Sequence, residues 1–341
     1  LNVRKHAQEV LSAALDDSGT FVGSSSLDGS VAVGLLETRE DCGVQASPDW
    51  VCAYPRAVLS MALCPSYASG GFESRSLCVG GEECKLILTR QGIFAPKHVT
   101  IHSGEGPISN VQWRGTLIAW SNIKGVKIVD VETYQKVTHI PKPSCIASDG
   151  ECAFLQCCLT WSADDVLLVG WGSFAMIAVV RQKHGGPAGV RFATITHSFC
   201  LATGIISGLA AFDSKHLSLL TTAQNSHATS GSTCIVHHIC TWAGEILCSD
   251  SLPTNGRGPI SLTTFPDGMG LQYIVTTQDI IATRRRTVSD LITWLIDQSY
   301  YEVAIALMRS SGGLGQAEGQ KILSLCVAPL LACDSPLRAV G

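Results

Sequence analysis

One segment limits the fold of this chain more than any other: Gly104 to Pro141, GEGPISNVQWRGTLIAWSNIKGVKIVDVETYQKVTHIP. It holds four short apolar runs separated by turn residues. Pro107 to Trp113 alternates and breaks at Gly115. Thr116 to Trp120 stops at Ser121-Asn122, Val126 to Val131 follows Gly125, and Lys136 to Ile140 closes the set. Four short strands joined by tight turns within about 40 residues make one antiparallel sheet, the unit of a β-propeller blade. Such a blade is more often a binding platform than a catalyst.

The four-strand period recurs. Gln8–Ala14, Thr20–Leu27, Gly29–Glu37 and a run near Asp49–Tyr54 form one set. Val58–Cys64, Ser76–Gly80, Cys84–Arg90 and Lys97–His102 form the next. After the opening segment come Phe154–Trp161, Asp165–Trp171, Ser173–Arg181 and Val190–Phe199, then Ile205–Phe212, His216–Thr222, Cys234–Thr241 and Glu245–Asp250. A sixth set, Gly258–Phe265, Gln272–Gln278 and Asp279–Arg285, lacks an obvious outer strand. Trp113 and Trp161 open equivalent strands 48 residues apart, and Trp120 and Trp171 close the following ones 51 residues apart. Both spacings suit a blade of about 40–50 residues. Asp28-Gly29, Gly80-Gly81 and Gly244-Glu245 read as turns. A blade covered on both faces by its neighbours shows nearly continuous apolar runs, as VLLVGWG and FAMIAVV do.

At Arg286 the period changes. Thr287 to Asp290 reads as a capping box with Asp in place of Glu. Leu291, Trp294 and Leu295 then fall at helical spacing, and Gln298-Ser299 makes a turn. Tyr301, Ala304, Ile305 and Met308 form a second stripe, and both stripes read as core. A hairpin of this kind cannot bury its face alone and begins a stack of helices, an α-solenoid. The expected division is 1–286 propeller and 287–341 start of solenoid, with LSLCVAPLLAC as one more helix broken at Pro329.

Composition narrows the function. Net charge is −4, and the one basic run, Arg284-Arg285-Arg286, reads as a solvated joint between domains. Nucleic-acid binding needs a basic face and is excluded as an expectation. No apolar run approaches the roughly 18 residues that cross a bilayer. The opening LNVRKHAQEVLSAALDD does not resemble a signal peptide, and the absence of a first Met predicts that the chain begins inside a longer protein. The 15 cysteines sit within apolar runs and there is no Asn-x-Ser/Thr sequon, so they read as free, buried thiols of a reducing compartment.

Catalytic chemistry is sought and not found. No phosphate-cradling Gly-x4-Gly-Lys loop and no Gly-x-Ser-x-Gly elbow occurs; Gly172-Ser173-Phe174 reads as a turn. Cys-x2-Cys spacing is absent. Cys234, His238 and Cys240 share one strand face but are strung too far apart for one tetrahedral ion, with His237 on the other face. Cys145, Cys152, Cys157 and Cys158 surround a loop, and a structural reading outweighs a metal there too. No cofactor and no metal is expected. Asp130, ending Val-Lys-Ile-Val-Asp, reads as a turn-capping carboxylate. Trp113, Trp120 and Trp171 read first as fillers between blades and second as partner anchors, and Arg114 as a solvated turn residue. The polar loops KHGGPAG (183–189), QNSHATSGS (224–232) and TNGRG (254–258) read as mobile, and none carries an amphipathic lipid-binding helix.

WRGTLIAWSNIKGVKIVD, YASGGF (Tyr67–Phe72) with VGGEECKLIL, LLVGWG (Leu167–Gly172) and DLITWLIDQSYYEVAIAL together resemble the vacuolar protein sorting-associated protein 41 family, over about residues 8–310. Trp113, Gly115, Trp120, Gly125, Asp130, Gly170, Trp171 and Gly172 carry the likeness in the propeller, and Trp294, Tyr301 and Ala304 in the hairpin. The resemblance implies a WD40-like propeller and a non-enzymatic subunit of the HOPS tether, which joins late endosomes or vesicles to the vacuole or lysosome. It implies other HOPS subunits, a Rab-family GTPase and a vesicle adaptor complex as partners. It also implies a cytoplasmic location, peripheral on those membranes, and assigns no contact residues. The chain departs from the family pattern in lacking its first blade, long solenoid and RING-like zinc domain, so about six blades are expected. Two rivals stand beside this reading: another propeller–solenoid coat or trafficking scaffold, and a propeller-fold hydrolase.

Overall fold

The computed structural model describes residues 6–39, 43–70, 75–92, 94–144, 157–183, 190–224, 233–252, 261–264, 271–276, 279–284 and 287–311. Cys145, Cys152, Arg285-Arg286, LSLCVAPLLAC, Gly71-Phe72 and almost all of the three polar loops lie outside the described residues.

Six sheets follow one another. The first holds β1 (Val10–Leu15), β2 (Phe21–Ser26), β3 (Ser30–Arg39) and β4 (Gly43–Ala53). The second holds β5 (Val58–Leu63), β6 (Ser76–Gly81), β7 (Lys85–Arg90) and β8 (Lys97–Ser103). The opening segment of the sequence analysis is the third: β9 (Asn110–Arg114), β10 (Leu117–Asn122), β11 (Gly125–Asp130) and β12 (Gln135–Pro141). The fourth is β13 (Cys157–Trp161), β14 (Val166–Trp171), β15 (Phe174–Gln182) and β16 (Arg191–Cys200). The fifth is β17 (Ile205–Ala211), β18 (His216–Gln224), β19 (Thr233–Thr241) and β20 (Ile246–Leu252). The sixth is β21 (Ser261–Thr264), β22 (Leu271–Val275) and β23 (Ile280–Arg284), with no fourth strand among the described residues. Strands lie side by side in chain order within each sheet.

The first strands stack in sequence: β1 on β5, β5 on β9, β9 on β13, β13 on β17 and β17 on β21. Sheets packed face to face through their first strands make blades about an axis, and the protein is a six-bladed WD40-like propeller. Its apolar clusters lie between sheets. Val31, Val33 and Phe21 meet Met61, Leu77 and Val79 between the first and second. Cys78 and Leu86 meet Ile118 and Trp120 between the second and third, and Leu117 and Ile128 meet Leu159 and Val169 between the third and fourth. Ile177 meets Leu209 and Leu217 between the fourth and fifth, and Leu220 meets Leu262 and Ile274 between the fifth and sixth. Alternate residues of a central strand therefore serve two different clusters: Ile118 and Trp120 face one way, Leu117 and Ala119 the other. That is why β14 and β15 read as nearly continuous apolar runs.

Gly80-Gly81 ends β6 instead of forming a turn, which corrects the sequence expectation. Packing demands both glycines. A Cβ at Gly80 would lie 2.3 Å from Cγ2 of Ile108, and one at Gly81 would lie 2.1 Å from the Ala57 carbonyl oxygen. Gly170 of β14 stands in the same relation to Ile206 of the next blade, at 2.7 Å. An isoleucine entering the following blade thus seats in a glycine-sized notch of the blade before it.

The chain divides into two compact units, one of residues 1–266 with 272–281 and one of 267–271 with 282–341. In the second, α1 (Val288–Asp297) starts at the capping box read from the sequence. The Asp290 amide donates to the Thr287 hydroxyl at 3.1 Å, and the Thr287 amide donates to the Asp290 carboxylate at 2.9 Å. After the turn at Gln298-Ser299, α2 (Tyr301–Ser311) packs Tyr301, Ala304, Ile305 and Met308 against Ile292 and Leu295. Trp294 is not core: it is 43% exposed. Ile292 and Leu295 fill the α1–α2 contact, and Trp294 with Leu291 and Val288 forms a separate, exposed stripe at spacing i, i+3, i+6.

Candidate interaction surface

Arg114 ends β9 at the turn into β10, and the sequence gives no sign of its partners. Its Nη1 lies 3.6 Å from Asp17 in the β1–β2 turn, and its Nε donates to Asp164 in the β13–β14 turn at 2.8 Å. One guanidinium therefore ties turns of the first, third and fourth blades on a common face. The Asp164 side chain is 85% exposed, so each tie contributes at most about 1 kcal/mol.

Two clefts open on this face, one blade apart. The first lies between the third and fourth blades and encloses about 920 Å³. Arg114, Thr116, Asp164, Asp165, Gln182 and Arg191 are among its lining residues. Behind its Arg191 and Thr116 lies the buried Asp130. That carboxylate accepts from the Glu132 and Thr133 amides at 3.0 and 3.4 Å, capping the β11–β12 turn. It also pairs with Arg191 of β16 at 3.2 Å, and Arg191 donates to the Thr116 hydroxyl at 2.7 Å. Asp130 is thus both a turn cap and the anchor of an arginine from the neighbouring blade.

The second cleft lies between the second and third blades and encloses about 680 Å³. Its lining is Ser76, Leu88, Arg90, Trp113, Val131, Glu132 and Tyr134. Strand alternation aims Trp113 the same way as Val111, into the seam with the second blade. The Trp113 indole N–H donates to the Gly115 carbonyl at 3.0 Å, which fixes the ring. Tyr134, 46% exposed, sits in the β11–β12 turn at φ +54°. Its hydroxyl accepts from Arg90 of β7 at 3.2 Å.

The remaining signature residues are structural in position. Trp120 and Trp171 are each 3% exposed, deep in the seams, and Lys142 lies 5.5 Å over the Trp171 ring. Gly125 begins β11 where a Cβ would meet the Ile140 carbonyl oxygen at 2.2 Å. Gly115 and Gly172 occupy two strand-to-strand turns at φ +53° and +59°.

Polar groups inside the blades pair locally. Lys127, 6% exposed, is bound to Glu105, which also accepts from the Asn122 amide, and Glu105 is held down at about 2 chiefly by the Lys127 hydrogen bond. In the first blade His6 bonds the Ser24 and Ser30 hydroxyls at 2.8 and 2.5 Å, and Asp28 accepts from Ser30, which holds its carboxyl well below the usual range. His237 meets the Ser218 hydroxyl at 2.6 Å, while His238, on the other face of β19, meets Thr221 and Ser249. Burial pushes both imidazoles below their ordinary value. Burial also raises the Cys157 and Cys158 thiols, the latter to about 11, which suits inert thiols and not ligands. Among the described residues no group of three His, Cys, Asp or Glu side chains is placed to hold a metal ion, and no helix is long and apolar enough to cross a membrane.

Comparison with known proteins follows the same lines. The family model Beta-prop_Vps41, described as a Vps42 beta-propeller, matches residues 2–283. A vacuolar protein sorting-associated protein 41 homolog from Arabidopsis thaliana is 28% identical over 351 residues, covering 91% of this chain and 34% of that protein. The human homolog is 28% identical over 336 residues, covering 92% and 36%. The Schizosaccharomyces pombe protein is 21% identical, covering 88% and 34%. The chain therefore spans about a third of the length of these relatives. Among solved structures, the Myceliophteria thermophila Cps50 (Swd1) β-propeller domain superposes with a TM-score of 0.60 at 12% identity, covering 83% of this chain and 86% of that one. The WD40 domain of Toxoplasma gondii coronin gives 0.53 at 11%, covering 82% and 68%. At these identities the likeness concerns the fold alone.

Proposed function

The chain belongs to the Vps41 β-propeller family, and from that membership we propose that it serves vacuolar protein sorting as the propeller of a tethering subunit. The work is recognition and bridging, with no bond made or broken. The propeller supplies contact surface, and the helical hairpin begins the arm that gives reach. In this reading the partners are the other subunits of the HOPS tether, a Rab-family GTPase and a vesicle adaptor complex. Its place is the cytoplasmic side of late endosomes and the vacuole or lysosome, held there through those partners.

The observation that carries the reading is the family match across 2–283, borne by a fold in which the buried Lys127, Asp130 and His237 are each paired locally. A propeller enzyme needs polar groups converging on one pocket, and the first strands β5 and β17 are built mainly from Val, Leu, Ala and Ile. Purification of the tagged protein from its own cells, followed by identification of what co-purifies, tests the proposal. Recovery of the other tether subunits with a Rab GTPase is the expected result. A clean monomer, or the subunits of a different coat, overturns it.

A further inference from the structure

We propose that the cleft between the second and third blades docks a short acidic, aliphatic peptide segment of a protein partner. Its walls come from strand ends and one turn of adjoining blades, so the site is rigid before anything binds. Trp113 and Tyr134 line it with two aromatic rings, beside the apolar Leu88 and Val131. Tyrosine, tryptophan and arginine are the side chains that dominate binding energy at protein interfaces. A volume of about 680 Å³ has room for a few side chains.

Charge selects the occupant. Arg90 is exposed, and among the described residues its recorded side-chain hydrogen bond is to the neutral Tyr134 hydroxyl, with no carboxylate within ion-pair distance. A guanidinium fork held at a cleft rim, with no acid beside it among the described residues, is ready for a bidentate carboxylate. Glu132 on the opposite rim disfavours a uniformly anionic ligand, so the peptide's acids belong on the Arg90 side and its aliphatic side chains between the rings. A phosphate backbone would need more cations than this one, and a flat bilayer would not enter a concave seam. Docking in this cleft stands or falls apart from the sorting role, since it uses none of the family likeness.

Fluorescence anisotropy with the full chain tests it. The probe is the labelled decapeptide GSDELLSGGS, with acids on one side of the aliphatic pair, compared with GSNQLLSGGS, which lacks the acids, and GSDESSSGGS, which lacks the aliphatic pair. The expected result is binding of the first peptide with each control at least about tenfold weaker, by the loss of one charge-assisted or apolar contact. Arg90→Glu and Tyr134→Ala, both at exposed positions, should each weaken the first peptide about tenfold, with unchanged melting curves. Lys215→Glu, on a turn of the fifth blade, should leave it unchanged. Equal binding of all three peptides overturns the proposal, as does indifference to Arg90→Glu. So does a preference for phosphatidylserine vesicles or a single-stranded RNA that Arg90→Glu abolishes.

Discussion

The two clefts of the turn face occupy neighbouring seams of one repeating scaffold, yet they are finished in opposite ways. Between the third and fourth blades, Asp130 neutralises Arg191 and Asp164 neutralises Arg114, so two of the cations of that wall are answered from within the protein. Between the second and third blades, Arg90 has a phenol for company and two aromatic rings beside it. The difference comes from a handful of residues at strand ends and turns. One seam uses its polar groups to hold blades together, and the other leaves them facing outward. Stability and recognition are thus assigned to separate seams, and substitutions should separate them.

The sharpest test is Asp130→Ala. It uncaps the β11–β12 turn and strands the half-buried Arg191, and should cost about 2–3 kcal/mol in a denaturant titration. A loss below about 0.5 kcal/mol would erase the contrast between the seams. Next comes Gly170→Val, which fills the notch taken by Ile206 and should cost about 2 kcal/mol by the same measurement. Acid should act on both seams indirectly. Burial holds His102, His237 and His238 below the ordinary value of 6.5 in the folded state. The unfolded chain therefore takes up more protons just below that value. The stability from these imidazoles is complete above about pH 6.5 and is lost as pH falls through their folded values, so thermal melting near pH 5.5 should occur below that near pH 7.5. Arg114→Ala removes exposed ties and should cost less than about 1 kcal/mol, falling further in high salt. Tyr134→Ala should change stability least, by within about 0.5 kcal/mol, because its cleft does not hold the fold.

Much of the architecture is legible in the chain because strands announce themselves locally. The segment Gly104–Pro141 is one sheet, with strand bounds within a few residues of those read, and the Thr287–Asp290 box starts α1. The clefts were not legible, because each is assembled from distant residues. Arg90 meets Tyr134 across 44 positions and Arg191 meets Thr116 across 75, and neither pair leaves a local signature. Trp113 and Trp120 look interchangeable in sequence. Their difference is depth: one stands near a strand end on the turn face, and the other in the middle of a central strand. Trp294 misled for a related reason, since helical spacing reveals a stripe but not which of two stripes its partner helix covers. Gly80-Gly81 misled because a glycine pair signals a chain reversal and a close-packed neighbour equally well.

The notches at Gly80 and Gly170 carry a consequence for how the row of blades comes apart. No sheet here possesses an interior of its own; every apolar cluster of the propeller is joint property of two consecutive sheets. Loss of any middle sheet would therefore strip two clusters at once, and loss of the second or fourth would leave Ile108 or Ile206 without its socket. Melting should spread along the array from wherever it begins, in the manner of a row of coupled spins, and a deletion that respects strand borders would be no gentler than one that ignores them.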